Sequence, residues 1–269
     1  MNKKLKYTLT VISITLIIAS ILCALFPTIS NTITQIKINE KIDQFTNRVE
    51  NIVDLGDTTY EEAKAQGKAD EQGYLLDEET QERISSTPVI FKADIDRLRK
   101  DSETYNKSLK KNQRDLLTKD SSYTGAALDL ASYGIYDGIY GYVTAPSIGL
   151  KLPIYLGSND YNMSIGAAHL CYTSLPIGGK DTNCVLSGHT GYIGRTFFDN
   201  LPSLKIGDKV SVTNYWNTLN YKVIRTFTCK PNDVKDIFIE SEKDLLSLFT
   251  CIGDGYGGFE RFYVICERI

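Results

Sequence analysis

Three side chains in this sequence are of the types that transfer acyl groups through sulfur. Cys251 ends the apolar run Ser247-Leu248-Phe249-Thr250 and precedes the turn Ile252-Gly253-Asp254-Gly255. Arg261 follows in Glu260-Arg261-Phe262-Tyr263-Val264-Ile265. His189, one of only two histidines, stands in Val185-Leu186-Ser187-Gly188-His189-Thr190-Gly191. A thiol attacks only as thiolate, and an ordinary pKa near 8.5 leaves a few per cent ionised at neutral pH. A neighbouring guanidinium and imidazolium favour the anion by charge. Histidine can also protonate a departing amine, worth about 10²–10⁴-fold. Arginine keeps its charge and presents a planar fork of donors to a developing oxyanion. Taken singly, each has an ordinary reading as a buried cysteine, a capped histidine and a solvated arginine. Arg268 competes with Arg261 for the anion-binding role. Residues at odd separation on a strand face opposite sides, so only one of the two can enter a given groove.

Together, Leu248-Phe249-Thr250-Cys251, the later Arg261-Phe262-Tyr263-Val264 and the upstream Ser187-Gly188-His189-Thr190-Gly191 resemble the sortases of Gram-positive bacteria. These are membrane-anchored cysteine transpeptidases. Lys151–Gly157, Gly166–Gly179 and Phe197–Asp208 are similar to segments of the pilin-polymerising class C sortases, as is Tyr105-Asn106-Lys107-Ser108-Leu109. The resemblance covers roughly Tyr105 to Ile269. It implies an eight-stranded sortase-type β-barrel and no cofactor. Cys251 would attack a backbone carbonyl inside a sorting motif of Leu-Pro-x-Thr-Gly type, and an amine would resolve the thioacyl enzyme. His189 would favour the thiolate by charge and protonate the departing amine, Arg261 would bind the oxyanion or the peptide carbonyls, and Thr250 would contact substrate through backbone or hydroxyl. The Arg-Phe-Tyr-Val context selects Arg261 over Arg268. Implied partners are sorting-motif-bearing surface or pilin proteins and an amine acceptor, a pilin lysine or cell-wall peptide.

Two departures bear on the subclass. Class C enzymes carry a lid anchored by an Asp-Pro-aromatic tripeptide, and Lys119–Asp137, in its place, holds no Asp-Pro. Either Asp129-Leu130 or a nearby tyrosine takes that part, or no lid plugs the site. Nor does a second apolar span follow the barrel, where many class C enzymes have one. Housekeeping anchoring to peptidoglycan therefore stays open beside pilus assembly, as does a non-catalytic membrane-anchored binding module on the same barrel.

The elements that must position these residues begin with an anchor. Residues 1–6 are basic, and Tyr7–Phe26 carry no charge. Twenty residues at about 1.5 Å each span a hydrocarbon core. Short basic flanks stay cytoplasmic, which puts the rest of the chain outside. A cleaved signal peptide lacks its small-x-small site, and a lipoprotein reading through Cys23 meets bulky Ile21 and Leu22. The expected domains are thus a cytoplasmic tail (1–6), a transmembrane anchor (7–26), a helical stalk and lid region (27–137) and a catalytic barrel (138–269). In the stalk, Ile38, Ile42, Phe45, Val49 and Ile52 keep a helical period, and so do Ile95, Leu98, Ser102, Tyr105, Leu109 and Leu116. Leu55–Ser86 between them is polar, with little to bury, and reads as loop with short helix pieces, or as disorder.

From Gly138 short β-branched and aromatic runs alternate with turn residues. Strands are expected near Tyr140–Ala145, Leu150–Leu156, Cys184–Gly188, Lys209–Asn214, Thr218–Thr228, Leu246–Cys251 and Phe259–Arg268, with another at Leu170–Thr173. Short helical turns are expected at Asp160–Ile165 and Thr196–Leu201. The net charge of −3 gives no reason to expect nucleic acid as a partner. Cys171, Cys184, Cys229 and Cys266 lie in apolar runs and read as buried free thiols, although a Cys229–Cys266 pair is conceivable in an extracellular domain. No metal site is expected, since Cys-x-x-Cys spacing is absent. His169 reads as structural.

Overall fold

The computed structural model describes residues 3–117, 124–231, 233 and 235–269. Among them stand four α-helices, α1 (Lys3–Glu50), α2 (Tyr60–Ala65), α3 (Lys92–Leu117) and α4 (Asp160–Met163). Eight strands follow in chain order: β1 (Ile139–Ala145), β2 (Leu150–Leu156), β3 (Ala167–His169), β4 (Thr182–Ser187), β5 (Lys209–Asn214), β6 (Thr218–Cys229), β7 (Asp244–Gly253) and β8 (Phe259–Arg268). They close a barrel in the order β1-β2-β3-β4-β7-β8-β6-β5. The β2–β3 and β4–β7 pairs are parallel and the others antiparallel.

Strand alternation gives the barrel two apolar faces. Cys184, Leu186, Leu246, Leu248, Val264 and Cys266 point into the inner cluster. Val185, Leu245, Phe249, Tyr263 and Ile265 form an outer one, covered by Leu170 and Ile237. Burial on both sides is why β4 and β7 carry consecutive apolar residues, Cys184-Val185-Leu186 and Leu248-Phe249, rather than strict alternation.

The expected boundary after residue 26 is not a structural one. α1 runs through Pro27, and its lower half belongs to the barrel. Ile38 and Ile42 join the inner cluster, while Phe45 packs with Tyr142 and Tyr215 at ring separations of 6.0 and 4.9 Å. By contrast the side chains from Tyr7 to Phe26 are exposed. The helix is long and apolar enough to cross a membrane.

Leu55–Ser86 forms loops around one short helix, α2, the first of the two expected alternatives. Thr59 and Glu62 form a capping box at the start of α2, and Tyr60, Ala63, Ala69 and Phe91 make a small core. Turn residues satisfy the backbone locally: Asp70 accepts from the N–H of Gln72 and Tyr74, and Asp77 from those of Glu79 and Thr80. The strand at Leu170–Thr173 is absent. β3 precedes it, and Tyr172 turns the chain with φ +63°. Its N–H is given to the Tyr105 hydroxyl at 2.8 Å, so an apolar run that looks extended docks on α3 instead. Asn106 completes the dock, accepting from Leu175 N–H at 2.7 Å and donating to Leu175 O at 3.3 Å. The helical turn expected at 196–201 falls at Leu201–Ser203.

The Leu116 side chain and residues 118–123, the start of the expected lid, lie outside the described residues. Of the rest, Asp129 accepts from Ala131 N–H and caps a short helical turn, Leu130–Tyr133. Leu130 packs with Tyr133, Ile135 and Tyr155.

Candidate active site

Three strands determine where the reactive residues meet. In the β7–β8 pairing Cys251 stands opposite Arg261 and Phe249 opposite Tyr263. Directly opposed residues share a face, so thiol and guanidinium both project from the outer side, beyond Phe249 and Tyr263. β4 runs parallel to β7 with Ser187 beside Phe249, and Gly188 N–H donates to Phe249 O at 3.2 Å. Two residues on, His189 follows the end of β4 as Cys251 follows Phe249 in β7, so both lie at the same end of the sheet. The structure thus brings Cys251, His189 and Arg261 to one end of one face.

Local packing fixes each of them. A Cβ at Gly188 would stand 2.7 Å from the Phe198 ring, so only glycine lets the chain leave β4 there. Phe198 N–H then donates to His189 O at 3.0 Å, and the imidazole lies 4.8 Å from the Tyr192 ring. Burial lowers the His189 pKa from its ordinary value, partly opposed by the charge of Asp160. Its Nε2 is buried with no hydrogen-bond partner among the described residues. A neutral imidazole with a bare nitrogen suits a base that takes a thiol proton. The Arg261 guanidinium sits 5.1 Å from the centre of the Phe249 ring, a cation–π contact that holds the fork beside Cys251.

Thr250 points the other way. It is buried, and its hydroxyl donates to Gly188 O at 2.7 Å and meets the Thr190 hydroxyl at 2.7 Å. The side chain ties β7 to the turn carrying His189, so only its backbone is left to meet a substrate. Thr190 was missed by sequence reasoning, because nothing in a hydroxyl beside a histidine says which strand it will reach.

Arg268 lies at the far end of β8, about 23 Å from Arg261 at 3.3 Å per residue. Its guanidinium is 5.4 Å from the Tyr221 ring centre, and Nη1 donates to Asn220 O at 3.5 Å. All six cysteines are free, and the Cys229–Cys266 pair is not formed. Cys266 faces the inner cluster, where burial pushes its thiol up to about 12. Burial raises Cys171, Cys184 and Cys229 as well. Cys251 is exposed. His169 is buried, its Nε2 3.0 Å from Ser174 O, and burial takes its pKa down to about 4. No group of three or more His, Cys, Asp or Glu among the described residues is placed to hold a metal. A cavity of about 540 Å³ between Lys41, Leu130 and Tyr161 does not reach the three residues, which lie on an open face. Reactive geometry, not cavity size, marks the site.

Comparison with known proteins agrees with this geometry. The Sortase domain matches residues 143–269. A pilus-related sortase C of Group B Streptococcus is 33% identical, with a TM-score of 0.57 over 65% of this chain and 89% of that one. The chain belongs to the sortase family. Sortase C1 of Streptococcus agalactiae superposes on this sortase with a TM-score of 0.58 and 27% identity, over 67% of this chain and 92% of that one. Among curated relatives, sortase A of Bacillus anthracis is 30% identical over 114 residues, 42% of this chain. The match spans about half of that relative's own length, 52%. The eight-stranded barrel, with a long apolar helix before it, is the fold expected of this sortase from its sequence.

Proposed function

We propose that this sortase is a membrane-anchored cysteine transpeptidase whose nucleophile is Cys251. The observation that carries the reading is the β7–β8 register, which sets an exposed thiol directly opposite Arg261, with His189 on the β4 side at the same end of the sheet. The neutral imidazole takes the thiol proton, and Sγ attacks the backbone carbonyl of a Leu-Pro-x-Thr-Gly-like motif. Arg261 donates to the oxygen as it gains charge. When the C–N bond breaks, His189 returns the proton to the departing amine, leaving a thioester. An incoming amine reverses these roles, forms the new amide and frees the thiol. Thr250 acts as a positioning residue through Gly188 and Thr190.

The acceptor is a pilin lysine in this reading. Similarity to a pilus-related sortase C supports it. The absent Asp-Pro tripeptide and the resemblance to sortase A favour instead a cell-wall peptide acceptor. α1 crosses the membrane through residues 7–26, with the basic 1–6 inside and the barrel outside. Single-turnover cleavage of a fluorogenic sorting peptide tests the chemistry. The full chain should cleave it, and His189→Ala should reduce the rate by at least about 10²-fold. Full activity in that variant would exclude His189 from the proton transfer.

A further inference from the structure

A groove of about 410 Å³ runs between α1 and the barrel, and nothing in the catalytic reading uses it. Its apolar wall is Phe26, Ile29 and Ile33, and its cationic lining is Lys37, Lys41 and Arg195. Depth is the first consideration. The sequence is uncharged not only through residue 26 but through Ile36, with Lys37 the next charge. At about 1.5 Å per residue, positions 7–36 span about 45 Å, the thickness of a bilayer with its headgroups, whereas the hydrocarbon takes only about 30 Å. Shared between the two faces, the additional thickness of about 15 Å leaves about 7.5 Å of headgroup on each side, so residues 27–31 stand at headgroup depth and Lys37 lies about 9 Å further out.

A second observation brings the barrel to that depth. The loop beyond His189 docks on this stretch of α1. Thr196 N–H donates to Asn31 Oδ1 at 2.9 Å, and Gln35 Nε2 donates to Thr196 O at 3.1 Å. Gly194, at φ +74°, lies so close that an added Cβ would stand 2.6 Å from Ser30. Arg195 is thereby held over the groove, its Nη1 donating to Ser164 O at 3.1 Å, while Ile193 is 78% exposed. Lys41 Nζ donates to the Tyr155 hydroxyl at 3.1 Å. None of the three cations forms an ion pair with a carboxylate among the described residues.

We propose that this groove binds an anionic phospholipid, with its phosphate between Lys37, Lys41 and Arg195 and an acyl chain along Phe26, Ile29 and Ile33. Three unpaired cations complement the phosphate, and the apolar wall continues the membrane span without a break. The site rests on the membrane reading of α1. A lipid held there ties the His189 loop to the bilayer surface.

The test uses the full chain reconstituted in phosphatidylcholine vesicles that carry spin-labelled phosphatidylglycerol or spin-labelled phosphatidylcholine. The motionally restricted fraction of each lipid is read by electron paramagnetic resonance. Phosphatidylglycerol should be preferred, and each neutralised cation should cost about fivefold in that preference, equivalent to about 1 kcal/mol per basic residue at a membrane surface. Lys37→Gln with Arg195→Gln should bring the two lipids close to parity, while Arg195→Lys keeps the charge and the preference. Equal restriction of the two lipids by the unmodified chain overturns the proposal. So does abolition of the preference by excess soluble glycerol phosphate, which would make the groove a site for free phosphate. Flotation separates the two readings. A chain that fails to float with the vesicles sinks the membrane reading and the groove together, whereas one that floats without lipid preference sinks the groove alone.

Discussion

Arg261 and Arg268 share strand β8, and their separation makes each the control for the other. Arg261 lies beside Cys251, whereas Arg268 rests on Tyr221 at the opposite end. Arg261→Lys keeps a charge but loses the planar fork, so acyl transfer should fall by about 10²–10³. Arg268→Lys should be nearly neutral in the same single-turnover assay; the reverse ranking would assign the wrong arginine. Strand parity admits only one of the two to a groove, and the Arg-Phe-Tyr-Val context picks Arg261 in sequence. The Thr250–Thr190 bond was not legible there, because it depends on β4 lying beside β7 across a separation of 60 residues. His169 supports a different test. The unfolded imidazole titrates near 6.5 and the folded one at about 4. Folding therefore gains stability above pH 6.5 that is lost as pH falls towards 4, at most about 3 kcal/mol. Chemical denaturation of the full chain in detergent at pH 7 and pH 4.5 should show the loss, and His169→Gln should flatten the difference.

At the scale of elements, α1 carries more than the sequence reading showed. A helical period over Ile38–Ile52 says that one face is buried but not against what, and Pro27 suggests a break that the helix does not take. The dock between α1 and the His189 loop depends on Gly194, whose conformation and tight approach to Ser30 both disfavour a side chain. Gly194→Ala should destabilise the full chain by about 1–3 kcal/mol, read as a lowered thermal midpoint in detergent. In the region expected to form a lid, Leu130 packs with Tyr133 and Tyr155, while Phe249 and Tyr263, the aromatic pair beside Cys251, belong to a different cluster. Leu130→Ala should therefore cost about 2–5 kcal/mol while leaving the alkylation rate of Cys251 unchanged. Faster alkylation would mean that this segment does cover the thiol.

Across the whole molecule, strand positions other than that of β3 were readable because those strands alternate or run apolar between turn residues. Strand order was not, since the parallel β2–β3 and β4–β7 pairs join segments through long connections whose pairing no local pattern encodes. That order makes the site, because it lays His189 and Arg261 on either side of Cys251. α1 and the barrel pack together through Ile38, Ile42 and Phe45. The most direct test of this account is the intact mass of the full chain after incubation with a sorting-motif peptide and no acceptor amine. The account predicts one added acyl fragment, located at Cys251, released by hydroxylamine and absent in Cys251→Ala. Peptide cleavage that persists in Cys251→Ala, or an adduct on any other cysteine, would contradict it.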